Sequence, residues 1–167
     1  GAGVVDIWGN LPTGAATYTK DGTGTNTLNN MSATRTWTGV TTISAGMLQV
    51  TGLNGLSSNS AVTVSAGATL DLAAGTAVGS IAGAGTLSGG GALIAGGNNT
   101  STTFSGPMTG GGALTKVGTG VLTLSGTSTR SGNTTVTVGT LIQNGTNASS
   151  AVTVSSGAYL YGGGQVQ

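Results

Sequence analysis

Charge is scarce in this chain of 167 residues, and cysteine and histidine are absent. The charged side chains are Lys20, Arg35, Lys116, Arg130, Asp6, Asp21 and Asp71. So few basic residues exclude the electrostatic surface of a nucleic-acid-binding protein, and they cannot form a basic amphipathic helix on a membrane. Without cysteine and histidine the chain can form no disulfide, no zinc site of the Cys/His kind and no imidazole-based catalytic site.

Long hydrophobic runs are also missing. No apolar stretch reaches the roughly 18 residues of a membrane-spanning helix, so we expect no direct insertion into a membrane. The chain starts at Gly1 without the pattern of a signal peptide, and we therefore interpret it as a mature or excised piece.

Small residues dominate the composition. The sequence has 34 Gly, 31 Thr and 17 Ser, and 37% of all residues are apolar. The apolar residues alternate with Thr and Ser, which is typical of half-buried strands, whereas so much Gly and Thr disfavours helix. Pro12 and Pro107 lie in Gly- or Thr-flanked stretches where turns are expected. The sequence therefore predicts an all-β chain.

Two periods are present in the sequence. AVTVSAGATL at 61–70 returns as AVTVSSGAYL at 151–160, which indicates two long repeats at about 20–110 and 112–167, the second truncated. Within them, Ile43 precedes Val64 by 21 residues and Val136 precedes Val154 by 18. A step of roughly 20 residues predicts a single parallel β-helix, or β-solenoid, of about eight coils.

The geometry of a coil predicts which residues lie at corners and which point inward. Gly67, Gly139 and Gly157 are predicted corners, because a tight turn often needs positive φ. Leu122 and Leu124 are predicted to point inward. Residues 1–30 fit the coil pattern least well, so we expect an N-terminal cap or degenerate first coil there and a β-helix segment over 31–167.

One stretch resembles a known family. LTKVGTGVLTLSG at 114–126 and the residues after it are similar to the passenger-associated transport repeat of bacterial autotransporters, also called the autotransporter-associated β-strand repeat. The pattern falls on Leu114, Lys116, Gly118, Gly120, Leu122, Leu124, Gly126, Gly132, Thr134, Val136, Gly139 and Leu141. Arg130 stands where the family usually has an aromatic residue, whereas Trp37 keeps the aromatic in the first copy.

The resemblance implies a right-handed β-helix that forms the stalk of a passenger domain. Such a stalk would be exported by type V secretion through a C-terminal outer-membrane β-barrel of the same parent chain, and it would be located at the bacterial cell surface or outside the cell. It would aid passenger folding and present adhesive regions of a virulence-associated adhesin. As an alternative, the segment would itself be an adhesin that binds host glycan or protein matrix, or that self-associates between cells.

Catalysis and cofactor binding are not expected. The acid–base pair that a glycoside-cleaving β-helix enzyme requires could come only from Asp6, Asp21 and Asp71, whose spacing favours no pair. Asp71, between Leu70 and Leu72, is predicted to be a solvated charge facing outward on a strand, and Asp21 to lie in a turn. Glycine-rich stretches such as GGGAL at 89–93 lack the Asp of calcium-binding repeats. We therefore predict no catalytic, cofactor-binding or metal-ligating residue.

The remaining candidates are cations, aromatic rings and threonines. We interpret Lys116, Arg35 and Arg130 as solvated charges, with attachment to an anionic partner as the alternative. The aromatic residues are expected to be core or corner plugs, with stacking on sugars as the alternative; they are Trp37, Phe104, Tyr159 and Tyr161. Ice binding through Thr-x-Thr runs is disfavoured, because variable coil lengths should shift the threonine registers.

Overall fold

The computed structural model describes the backbone of residues 4–7 and all atoms of 14–29, 37–147 and 151–164. Every regular element in these ranges is a β-strand, which confirms the predicted all-β class. The strands are β1 Val4–Ile7, β2 Tyr18–Lys20, β3 Thr25–Leu28, β4 Thr41–Ile43, β5 Met47–Val50, β6 Ala61–Val64, β7 Thr69–Leu72, β8 Thr76–Val78, β9 Ser80–Gly83, β10 Thr86–Ser88, β11 Leu93–Ala95, β12 Thr102–Phe104, β13 Leu114–Lys116, β14 Val121–Leu124, β15 Thr134–Val136, β16 Thr140–Gln143, β17 Val152–Val154 and β18 Tyr159–Tyr161.

The strands form three parallel sheets. The long sheet has eight strands in the order β18-β16-β14-β12-β9-β6-β4-β2. The N-terminal sheet has the order β1-β3-β5-β7-β10, and the C-terminal sheet the order β17-β15-β13-β11-β8. Beyond β10, single bridges through Met108, Ser128 and Asn147 continue the N-terminal sheet. This is the stacked β-solenoid that the sequence predicted; its right-handed sense and the count of about eight coils stay predictions.

Coil length varies at the corners while the strands stay in register. Partners in adjacent coils are 23 residues apart at Tyr18↔Thr41 and 17 apart at Thr76↔Leu93. The predicted stacking of Ile43 on Val64 and of Val136 on Val154 is confirmed. Extra residues are accommodated in the turns, because a one-residue slip within a strand would move every core side chain to the outer face.

A narrow core runs through the coils. Its buried members include Leu122 and Leu124, as predicted, and Phe104, whose place in the core is confirmed. Phe104 pairs with Leu124 in β14, and Leu122 pairs with Leu141 in β16, so apolar side chains stack directly on apolar side chains. Burial of one such side chain contributes about 1.5–3 kcal/mol.

Glycine acts at the corners in two ways. Gly67, Gly139 and Gly157 have φ values of 81°, 73° and 80°, which confirms the predicted left-handed corner positions. Gly106 is needed for space instead, since a Cβ there would lie 1.6 Å from the carbonyl oxygen of Gly85 in the preceding coil. Neighbouring coils therefore approach closely, backbone against backbone.

The two long repeats do not occupy equivalent places in the solenoid. Ala61–Val64 lies in the long sheet as β6, whereas its sequence counterpart 151–154 contributes β17 to the C-terminal sheet. Thr41–Ile43 and its counterpart Thr134–Val136 are divided in the same way. The second copy is displaced by one face around the coil. The predicted division into a cap at 1–30 and a β-helix at 31–167 stays a prediction.

Candidate functional site

Lys116 is the inward-facing last residue of β13. The strand alternates, so Leu114 and Lys116 point into the solenoid and Thr115 points out. The Lys116 side chain is 1% exposed, and the prediction that it lies outside in water is therefore wrong. The strand ends where the chain turns, so the flexible aliphatic stem remains in the core while the ammonium group reaches the corner.

The ammonium group of Lys116 joins two consecutive coils. Nζ donates hydrogen bonds to the carbonyl oxygens of Val117 at 2.6 Å and Gly118 at 2.7 Å, both in its own corner. A third bond of 3.3 Å reaches the carbonyl oxygen of Val138 in the corner of the following coil. An ammonium group has three donors, and all three are used.

Lys20 repeats this geometry at the end of β2. The side chain is also 1% exposed. Its Nζ donates to the carbonyl oxygens of Asp21 at 3.0 Å and Gly22 at 2.7 Å, and to that of Ala45 in the following coil at 3.0 Å. We call each lysine with its three carbonyl acceptors a lysine clamp. The two clamps lie in different sheets, since β2 belongs to the long sheet and β13 to the C-terminal sheet.

The clamps hold a positive charge with backbone dipoles alone. All the hydrogen-bond acceptors of Lys20 and Lys116 are carbonyl oxygens, with no carboxylate among them. Burial lowers the pKa of Lys116, because removal from water disfavours the charged form. Three carbonyl oxygens favour the charged form and offset part of that penalty. The arrangement suits a structural charge.

Arg130 takes the place that Trp37 has in the first repeat. The Trp37 side chain is fully buried, and its Nε1 donates a 3.2 Å hydrogen bond to Oγ1 of Thr41, four residues later. Arg130, 3% exposed, donates from Nη2 to Oγ1 of Thr134, again four residues later. The interpretation of Arg130 as a solvated charge is therefore wrong, because the position is an interior corner that requires a bulky side chain with an N–H donor.

The guanidinium of Arg130 is less completely paired than the clamps. Its Nη1 donates to the carbonyl oxygens of Gly112 at 3.3 Å and Gly132 at 3.0 Å, while Nε has no hydrogen-bond partner among the described residues. Burial lowers the pKa of Arg130 to about 10, so the group stays charged at neutral pH. A cavity of about 10 Å³ lies beside it, with Leu114 and Met108 in its lining.

The aspartates serve the turns and the outer surface. Asp71 faces outward on β7, as predicted, and accepts hydrogen bonds from Nε2 of Gln49 at 3.0 Å and Oγ of Ser88 at 2.7 Å. It does not protect an edge, because β7 is paired on both sides. Asp21 lies in a turn, as predicted, and its Oδ1 accepts the N–H of Gly22 at 2.8 Å.

Two charged candidates are not placed by the structure. The side chain of Asp6 and the whole of Arg35 lie outside the described residues. Within the described part of the chain, no group of three His, Cys, Asp or Glu residues could hold a metal ion. None of the residues that the structure describes lies in a helix long and apolar enough to cross a membrane.

The aromatic residues divide into two groups. Trp37 and Phe104 are buried, as predicted for plugs. Tyr159 and Tyr161 are 54% and 58% exposed on β18, so the plug prediction is wrong for both. Their rings face outward because they alternate with Leu160, which packs against the core.

Sequence reasoning missed the clamps and the buried Arg130, although a signal was present for each. Leu114 and Lys116 are two residues apart on one strand, so an inward leucine required an inward lysine. Trp37 and Arg130 also precede the threonines Thr41 and Thr134 by the same four residues. Both signals can be read from residue spacing. They were missed because lysine and arginine side chains were assumed to stay in water.

Two segments of the chain match the model of a known family. The model of the passenger-associated-transport-repeat family matches residues 19–50 and 114–142, and each match contains one clamp lysine. No curated protein and no solved structure matches the chain significantly. Each matched segment also holds all three carbonyl acceptors of its clamp. Two segments of the chain therefore match the passenger-associated transport repeat, and each holds a buried lysine that joins one coil to the next.

Proposed function

We propose that this segment is the structural stalk of an autotransporter passenger displayed at the cell surface. Two matched repeats and a parallel β-solenoid support this proposal. The stalk supports folding of the passenger during export and presents adhesive regions. Its export partner is the C-terminal outer-membrane β-barrel of the parent chain.

The observation that carries the proposal is that both clamps span a coil boundary in the same direction. Each lysine donates to two carbonyls of its own corner and to one carbonyl of the coil that follows in sequence. The third bond can form only when the following coil is stacked in the correct register. A slipped coil would leave a buried ammonium group short of an acceptor, at several kcal/mol.

This property suits folding outside a membrane. A solenoid gains stability coil by coil through contacts between neighbours, and each coil buries apolar surface at about 25 cal/mol per Å². Apolar contacts alone tolerate a slip of two residues, which keeps the inward side chains inward, because one aliphatic side chain stacks almost as well as another. The clamps add a directional contact at two points along the solenoid.

Surface display of the segment tests the proposal. The chain is joined to an outer-membrane β-barrel of the passenger-exporting type with an epitope tag at its N-terminus, and surface tag is counted on intact cells. The variant K20M/K116M should reach the surface less than wild type and should be more sensitive to added protease, while T42M/T115M, changed at outward positions, should match wild type. Equal display and equal protease resistance for all three would contradict a role of the clamps in export-coupled folding.

A further inference from the structure

Two tyrosines on β18 are the exposed aromatic side chains of the described residues. Tyr159 and Tyr161 have their ring centroids 6.0 Å apart and their planes within 5°, and both rings are more than half exposed. Of the other described aromatic residues, Trp37 and Phe104 are buried and Tyr18 is partly buried against the core. A pair of exposed aromatic rings is typical of a surface that binds a partner.

The surroundings of the pair combine hydroxyl and aliphatic groups. Tyr159 stacks on Thr140 of β16, and Tyr161 stacks on Ile142. On β14, the next strand of the sheet, Val121 pairs with Thr140 and Thr123 pairs with Ile142. The pair and these four partly exposed residues form what we call the tyrosine platform, at one end of the long sheet.

The positions of the charged side chains limit which kinds of partner the tyrosine platform could bind. The described lysines and the described arginine are all buried, so no cationic side chain stands on the described surface. Asp71 lies on the N-terminal sheet, and Asp21 follows β2 at the opposite end of the long sheet. Among the described residues, an acidic polymer would find no exposed cation to pair with, and a basic one would find no carboxylate at the platform.

We propose that the tyrosine platform binds a neutral glycan. A pyranose ring has a face of C–H groups that stacks on an aromatic ring, and its hydroxyl groups form hydrogen bonds with threonine hydroxyls. Two nearly parallel rings, with Thr140 on the adjacent strand and Thr123 on the strand after it, offer both kinds of contact to consecutive sugar units. The proposal goes beyond the stalk function, which does not require the segment to bind anything itself.

Binding of short oligosaccharides tests the proposal. Cellohexaose, maltohexaose and mannohexaose serve as neutral probes, with oligogalacturonate and a heparin hexasaccharide as acidic ones. Saturation-transfer NMR detects binding to the 167-residue chain, and titration gives the dissociation constant. We expect at least one neutral probe to bind with a dissociation constant below about 1 mM, and the acidic probes to bind more weakly or not at all.

Variants separate the platform from the rest of the surface. Y159A/Y161A should weaken binding at least tenfold, and Y159F/Y161F should stay within about threefold of wild type because ring stacking is kept. I94A removes an exposed side chain on the C-terminal sheet and should bind like wild type. Circular dichroism melting checks that all variants are folded.

Four results would overturn the proposal. These are no binding of any neutral probe, full binding by Y159A/Y161A, preference for the acidic probes, or concentration-dependent self-association that Y159A/Y161A abolishes in place of glycan binding. The last result would make a second copy of the chain the partner. None of these results bears on the stalk function, whose test is surface display of the clamp variants.

Discussion

Replacement of Lys116 by methionine tests whether the lysine clamp stabilises the solenoid. Methionine keeps most of the aliphatic stem and removes the ammonium group, so the carbonyls of Val117, Gly118 and Val138 lose a shared donor. A hydrogen bond to a charged group contributes about 1.5–3 kcal/mol, and the 3.3 Å bond should contribute least. Relief of the buried charge offsets part of this loss. We expect K116M to lower the free energy of unfolding by about 2–4 kcal/mol.

Urea denaturation and thermal melting measure the effect. For a chain of this size, 1 kcal/mol corresponds to a shift of about 2–4 °C in Tm, so K116M should melt about 5–15 °C lower. The matched control is T115M, which places the same side chain at the neighbouring outward position of β13. T115M should stay within about 0.5 kcal/mol of wild type.

Chemical rescue distinguishes the clamp from simple packing. In K116A, methylammonium can enter the vacated space and donate to the three carbonyls, whereas tetramethylammonium at equal concentration has no N–H donor. Methylammonium should therefore raise the Tm of K116A more than tetramethylammonium does, and should not do so for T115A. Equal stability of K116M and T115M, or equal effects of the two ions on K116A, would refute the structural role of the ammonium group.

Three further substitutions probe the interior. Arg130→Trp should stay within about 1 kcal/mol of wild type in urea denaturation, because Trp37 already fills the equivalent corner and donates to its threonine, while R130A should lose about 2 kcal/mol or more; a larger loss in R130W than in R130A would contradict the equivalence. Gly106→Ala should lose about 3 kcal/mol or more of unfolding free energy, since its Cβ would meet the carbonyl oxygen of Gly85, whereas Gly90→Ala has open space and should be neutral; similar melting of the two variants would disprove the close contact between coils. Leu122→Asp should unfold the neighbouring coils, seen as faster amide exchange in β12 and β16 than in β5, because a carboxylate in this narrow core has no partner; protection unchanged from wild type would place Leu122 outside the core.

The strand pattern and the corner glycines could be predicted from the sequence because each depends on a local rule. Alternation assigned Leu122 and Leu124 to the core, and the need for positive φ assigned Gly67 to a corner. The charges could not be assigned by such rules. The usual preference of lysine for water was applied to Lys116, although the inward leucine two residues earlier on the same strand pointed the other way.

Another error concerned the two tyrosines. The exposure of Tyr159 and Tyr161 follows from the outward register of β18. The repeat with β7 indicated this register, because the counterparts Thr69 and Asp71 also face outward, but the usual preference of aromatic side chains for the core was applied instead. The expectation that threonine registers shift holds for the run at 23–27, whose Thr25 and Thr27 pair with Met47 and Gln49, but not for part of the long sheet. Thr19, Thr42 and Thr63 are direct partners although their sequence steps are 23 and 21, since corners accommodate the difference.

The displacement of the second repeat by one face has a consequence for how such chains grow. Segments of the same sequence type serve as strands of the long sheet in one copy and of the C-terminal sheet in the other. The distance between two copies therefore need not be a whole number of turns. The second copy can start on a different side of the solenoid and still pair with neighbouring strands. In this chain the spacing between the two copies changes which sheet a motif joins without loss of the fold.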